Sequence, residues 1–247
     1  MSGDRHVTFE GCFNFRDLGG YETVDGRRVR WGAVFRADSL HRLTSGDLEM
    51  ALGLGLRTVI DLRSTAELDG HGRFAHADDV AFHHLPLFEQ NAFPFKPLER
   101  HDPEPPPGAD YVAMATEARS SLADALRVIA EAEYAVVFHC AAGKDRTGIL
   151  AALVLASLGV PDEAITADYH LSERALAPSV AWAEANDREL AAELASLPPW
   201  ALHAPMPVME AFLGILRERH GSIVGYLTDA GVERGVIDEL RSRLLTV

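Results

Sequence analysis

The chain predicts an α/β fold, in which a central and mainly parallel sheet is flanked by helices. Three observations predict it. Val136, Val137 and Phe138 form a short β-branched and aromatic run that suits a buried strand. An apolar run from Ile149 to Leu158 follows, too long for a strand and rich in Ala and Leu, so it reads as a buried helix. Upstream, a helical stretch over residues 45–52 leads into a strand over 58–62, and such alternation argues for strands laid parallel with helices on the faces. No period of self-similarity and no interdomain linker breaks the 247 residues. One domain, 1–247, with a helical insertion at about 172–206 is therefore the simplest organisation.

In chain order, residues 1–12 read as a lead-in. Cys12, between Gly11 and Phe13, reads as a small buried hydrophobe. Arg16 and Asp17 precede a Gly-Gly turn, where they form an internal ion pair or Arg16 lines the site from behind. Asp25-Gly26 signals a hairpin between strands at 21–24 and 29–35. Thr44 caps the helix over 45–52, Asp47 supplies charge in its first turn, and Gly53 and Gly55 end it. Asp61 and Arg63 close the strand over 58–62, and in an open α/β sheet ligands gather outside such carboxyl ends. Arg63 either contacts substrate or makes a structural salt bridge, the simpler reading. A short helical piece around Ala66 lies in a polar loop, and a strand over 80–87 leads to Phe88 and Glu89. Residues 90–110 carry six prolines and form a long irregular connection at the rim.

A single helix is expected over 110–133. After the strand and buried helix, Pro161-Asp162 opens another helix that turns Ile165, Tyr169 and Leu171 inward. Pro178 interrupts the chain, an acidic Ala-rich helix runs over 180–197, and Pro198-Pro199 ends it. Trp182, Trp200 and Met206 are either core contacts or part of a flap over the pocket. Three closing helices fall near 208–219, 223–230 and 232–245.

Composition limits the function. Apolar content of 47% and charged content of 24% are ordinary for a soluble globular protein. A net charge of −14 speaks against nonspecific nucleic-acid binding, so any attraction to phosphate is local. Two cysteines exclude a disulfide framework. No Sec-type leader and no stretch long enough to span a bilayer is evident, which makes the cytoplasm the default location without excluding other export. The eleven histidines, His71, His76, His83 and His84 among them, show no metal-ligand spacing. No metal and no cofactor are expected.

The chemistry lies between the buried strand and its helix, in His139-Cys140-Ala141-Ala142-Gly143-Lys144-Asp145-Arg146-Thr147. A strand, a tight loop and a helix N-terminus make an anion site, because the first helical amides lack intrahelical partners and the dipole adds positive charge. Small Ala141, Ala142 and Gly143 let the backbone curl so that consecutive N–H groups point inward. A thiol at the base of such a nest loses its proton readily. Arg146, beyond five intervening residues, can grip two phosphoryl oxygens with its planar fork. Thr147 is placed to give a hydroxyl to the thiolate, and His139 to brace the loop from outside. Lys144 faces solvent or a second phosphate. A nucleotide-binding reading of Gly143-Lys144 fails, since Phe138 and Asp145 stand where a Walker loop needs Gly and Ser or Thr.

This signature resembles that of cysteine-dependent protein tyrosine phosphatases. With Asn14-Phe15-Arg16-Asp17-Leu18-Gly19-Gly20 and Val59-Ile60-Asp61-Leu62-Arg63-Ser64, it is similar to the bacterial PtpB type, which acts on phosphotyrosine, other phosphoproteins and phosphoinositides. The resemblance covers roughly residues 13–170 and implies a tyrosine-phosphatase-like fold. It also implies a phosphorylated protein or phosphoinositide as substrate and inorganic phosphate as product. It makes Asp145 the functional loop aspartate and puts an acid near Glu89. Asp61 and Asp102 are the other carboxylates in contention for proton donation. Two further readings remain: a module that binds phosphate without turnover, and a rhodanese-type sulfur transferase, which the Gly-Lys-Asp-Arg-Thr context does not suit.

Overall fold

The computed structural model describes residues 5–74, 79–88 and 99–247. Five strands form the main sheet in the order β1 (Arg16–Asp17), β3 (Val34–Ala37), β6 (Ala135–His139), β4 (Leu56–Asp61), β5 (Ala81–His84). The four strands from β3 to β5 run parallel, and only the edge strand β1 is antiparallel. The α/β expectation with a mainly parallel sheet therefore holds. β2 (Arg28–Val29) lies outside and pairs with β7 (Leu245–Thr246).

The central strands are buried on both faces, which explains their continuous β-branched and aromatic runs. One face packs on the helix α5 (Asp145–Leu158), whose residues from Ile149 to Val154 are almost wholly excluded from solvent. Around it stand α3 (Ala109–Glu117), α4 (Arg119–Glu131), α6 (Asp162–His170), α10 (Met206–His220), α11 (Ile223–Asp229) and α12 (Arg234–Leu244). On the opposite face, Phe9, Phe15, Phe35, Leu40 and Val137 share a second apolar cluster with Ala51 of α1 (Ser45–Gly53). Thr44 caps α1 as expected, and Asp47 completes a capping box while also accepting from the amides of Glu10 and Gly11.

Several boundaries differ from the sequence reading. The turn at Asp25-Gly26 forms, with Gly26 at φ +84°, and its flanks bond across it, Thr23 N–H to the Arg27 carbonyl and Val29 N–H to the Tyr21 carbonyl, but the pairing is shorter than the strands expected at 21–24 and 29–35. The expected helix over 110–133 breaks at Ala118 into α3 and α4. Pro178 does not interrupt the chain. It sits in the first turn of α7 (Leu176–Asn186), where its missing N–H has no helical partner to lose. The acidic Ala-rich stretch breaks instead at Asp187, whose side chain caps α8 (Arg188–Ser196) by accepting from the Leu190 amide. Pro199 then opens the short α9 (Pro199–Leu202). Cys12 is buried as expected, and its thiol donates to Asp38 at 2.6 Å. No helix among the described residues is long and apolar enough to cross a membrane.

Candidate active site

His139 is the last residue of β6 and stands in register with Ala37 of β3 and Asp61 of β4. Cys140 thus leaves the sheet at the carboxyl ends of three parallel strands, the place where such sheets collect ligands. The helix α5 begins at Asp145, so Arg146 and Thr147 occupy its first turn.

The loop is shaped from behind. Ser39 donates to the Ala141 carbonyl through its amide at 3.1 Å and its hydroxyl at 2.9 Å. The Asn14 side-chain amide spans the carbonyls of Ala142 and Gly143, each at 3.1 Å. Arg36 adds a bond of 2.8 Å to the Gly143 carbonyl. Three successive carbonyls are thereby held against the protein, so the N–H edges of the same peptide planes face the other way. Gly143 has φ +66°, and a Cβ there would stand 2.6 Å from the Ala37 carbonyl oxygen, so both backbone and space require glycine.

Arg16 does not pair with Asp17. It bonds Asp168 at 3.0 Å, and Arg36 takes the other oxygen of the same carboxylate at 2.7 Å. Arg16 also donates to the Asn14 side chain, so it steadies the loop through an intermediary. Burial disfavours the charge on Asp168, but the two arginines outweigh it and hold the carboxyl below its ordinary range. Burial likewise pushes Arg36 down to about 10, leaving it cationic at neutral pH. Asp17 instead accepts from the amides of Gly19 and Gly32, both at 2.7 Å.

Arg146 forms a two-pronged pair with Glu67, at 2.6 and 2.8 Å. Glu67 lies in α2 (Thr65–His71), where it also accepts from the Ser64 amide as half of a capping box. Burial opposes the charge on both partners. Their mutual bonds win, raising Arg146 and lowering Glu67 to about 2. A guanidinium has five N–H donors, and Glu67 occupies one on each terminal nitrogen. Donors remain for an anion.

The other expected residues divide. His139 Nδ1 donates to the Cys140 carbonyl at 3.3 Å, a brace from outside the loop. Thr147 is fully buried and its hydroxyl has no hydrogen-bond partner, so no bond to the thiol is formed here. Asp61 and Arg63 bind each other, with a shortest contact of 2.6 Å, and Arg63 also reaches the Gly72 carbonyl and His41. Both are buried, and the salt bridge that the sequence suggested for Arg63 is formed. Lys144 does not face solvent; it donates to the carbonyls of Ala201 and His203 and lies 3.4 Å from Asp145. Asp145 lines the cleft and accepts from the Tyr111 hydroxyl at 2.6 Å. Asp102 accepts from the Glu99 amide at its carboxylate and from Trp200 at its carbonyl. Glu89 lies outside the described residues.

The cleft in front has a volume of about 580 Å³. Phe88, Met114, Trp200 and Val208 supply apolar wall, and Pro105 to Pro107 form one rim. Among the described residues its charged lining comprises Glu67, Glu104, Asp110, Asp145 and Glu193 against Lys144 and Arg146.

The sequence reading assigned no role to Asn14, Arg36, Ser39, Glu67, Tyr111 or Asp168. For Glu67 a local signal existed, the Ser-x-x-Glu spacing of a capping box from Ser64. The rest reach the loop only through the tertiary fold.

Comparison with known proteins agrees with this geometry. The chain is 31% identical over 238 residues to a Cupriavidus necator protein that bears a provisional tyrosine-protein phosphatase name, covering 93% of this chain and 85% of that one. It is 28% identical over 278 residues to the triple specificity protein phosphatase PtpB of Mycobacterium tuberculosis, covering 95% and 97%. A tyrosine-protein phosphatase of Nostoc commune is 30% identical over 218 residues, covering 86% and 74%. The profile of the tyrosine phosphatase family matches residues 7–246. With its signature loop, its parallel sheet and a match over nearly its whole length, the chain belongs to the tyrosine phosphatase family and is a phosphatase enzyme.

Proposed function

We propose that the protein hydrolyses phosphotyrosine in proteins through a cysteinyl-phosphate intermediate, with no metal taking part. The observation that carries this reading is the loop itself: three successive carbonyls fastened back against the protein directly after Cys140, with Arg146 in the first turn of the helix that follows. Cys140 Sγ attacks phosphorus, the S–P bond forms and the bond to the phenolic oxygen breaks. The amides of residues 141–146 and the free donors of Arg146 receive the equatorial oxygens, where preorganised charge has its largest effect. Asp145 gives its proton to the departing phenol. Water then attacks phosphorus, its proton goes to Asp145, and the thiolate leaves. The buried, unpartnered Thr147 hydroxyl is available to that thiolate.

The cleft favours phosphotyrosine over phosphoinositide. Apolar walls suit a phenyl ring, whereas a polyphosphate headgroup needs cations. Lys144 is engaged by the Ala201 and His203 carbonyls, and five carboxylates line the same walls. The segment 172–206 acts as a cover, since Leu197, Trp200, Ala201 and His203 face the cleft from it.

Hydrolysis of 4-nitrophenyl phosphate in the presence of a chelator tests the chemistry. Wild type is expected to turn over, Cys140→Ser to lose turnover, and Arg146→Ala to fall by about a hundredfold or more. Full activity in Cys140→Ser would remove the nucleophile from the account.

A further inference from the structure

Asp145 has two carboxylate oxygens, and the contacts around it are unequal. The Tyr111 hydroxyl lies 2.6 Å from Oδ1, and the Lys144 ammonium lies 3.4 Å from that same oxygen. The Tyr111 hydroxyl also lies 2.7 Å from the hydroxyl of Tyr169. Both tyrosines are buried, and their rings meet edge to face with centroids 5.9 Å apart.

Proton counting fixes the direction of this chain. Burial, then the nearby charge of Asp145, pushes Tyr111 well above its ordinary range, so it is a neutral phenol with one proton. An ionised carboxylate only accepts, so Tyr111 gives that proton to Asp145 Oδ1. Tyr169 must then be the donor to Tyr111. An ammonium also only donates, so both contacts on Oδ1 are donors. When Asp145 is protonated, a proton on Oδ1 would face the Lys144 ammonium, which cannot accept it, and would force the Tyr111 hydroxyl to turn round. It belongs on Oδ2.

Building on the reading of Asp145 as the general acid, we propose that Tyr111, backed by Tyr169, is a positioning residue that holds Asp145 Oδ1 and so confines the transferable proton to Oδ2. In the first step Sγ–P forms, P–O breaks, and the proton passes from Oδ2 to the phenolic oxygen. The carboxylate left behind is met by Tyr111 and Lys144. In the second step the water oxygen bonds to phosphorus, one water proton returns to Oδ2, and S–P breaks.

The test is kcat/KM across aryl phosphates whose leaving phenols range from dinitrophenol to phenol, because a proton donor matters most for the poorest leaving group. Asp145→Asn should steepen this dependence; an unchanged slope overturns the general-acid reading itself. Given that steepening, Tyr111→Phe should lower kcat/KM roughly tenfold for phenyl phosphate and far less for the dinitrophenyl ester, a part of the 10²–10⁴ that proton transfer supplies. Tyr169→Phe should steepen the slope less than Tyr111→Phe. An equal fall across all leaving groups, no fall, or a stronger effect at Tyr169 overturns the proposal while leaving Asp145 in place. Should Tyr111→Phe fail to fold, 3-fluorotyrosine at position 111 gives a second readout. Its fluorine resonance should move with Asp145→Asn and hold still with Asp110→Asn; a resonance indifferent to Asp145 overturns the bond.

Discussion

Glu67 does two things with one carboxylate. It closes the capping box of α2 and fixes the fork of Arg146. Glu67→Gln preserves an acceptor for the cap but removes the charge that opposes Arg146. A hydrogen bond to a charged group contributes about 1.5–3 kcal/mol, so kcat/KM should fall roughly ten- to a hundredfold. The same pair makes a pH prediction. Glu67 ionises at about 2 in the folded protein, below its ordinary 4.5, so it favours the folded state above 4.5. That contribution is lost as pH falls from about 4.5 through about 2. Melting temperatures of wild type and Glu67→Gln should therefore differ at neutral pH and converge in that acid window. A constant difference down to pH 2 would contradict the assignment.

At the scale of the element, the phosphate loop depends on a residue with no side chain. Gly143→Ala meets two obstacles, φ +66° and a carbonyl oxygen 2.6 Å from the new Cβ. The dihedral alone costs about 1–2 kcal/mol, and the collision must displace the loop, so activity should fall with the melting temperature. Gly26→Ala is the control. It shares a positive φ, +84°, with nothing within 4 Å, so it should lose stability alone. Retained activity in Gly143→Ala would mean that the loop tolerates another course. This element was legible in the sequence because its nucleophile, glycine turn, arginine and helix are contiguous. Its support was not. Asn14, Arg36 and Asp168 converge from three distant segments, and nothing local to any of them announces the Gly143 carbonyl. The helix break at Ala118 was missed because alanine carries no break signal, whereas Asp187 did offer an N-cap signal that the surrounding alanine-rich run masked.

Across the whole molecule the charge is −14, and the cleft repeats that sign with five carboxylates. A dianionic phosphate approaches against this field and, among the described residues lining the cleft, meets favourable charge at Lys144 and Arg146 of the loop. Salt shortens the reach of the field from about 30 Å at 0.01 M to about 8 Å at 0.15 M. The value of kcat/KM for a phosphotyrosine peptide should therefore rise over this range, and lysines flanking the tyrosine should raise it at low salt. A soluble inositol polyphosphate should be a poorer substrate than the peptide in every buffer. Preference for the inositol compound would reverse the substrate order.

The ion pairs at Asp168 have a consequence for biosynthesis. A nascent chain that has just cleared the ribosome through Arg146 already holds Cys140 and Arg146. It still lacks Asp168, the carboxylate that anchors both Arg16 and Arg36, and so lacks the means to fix the loop they support. Translation order thus leaves the loop after Cys140 unbraced until the chain has grown past Asp168.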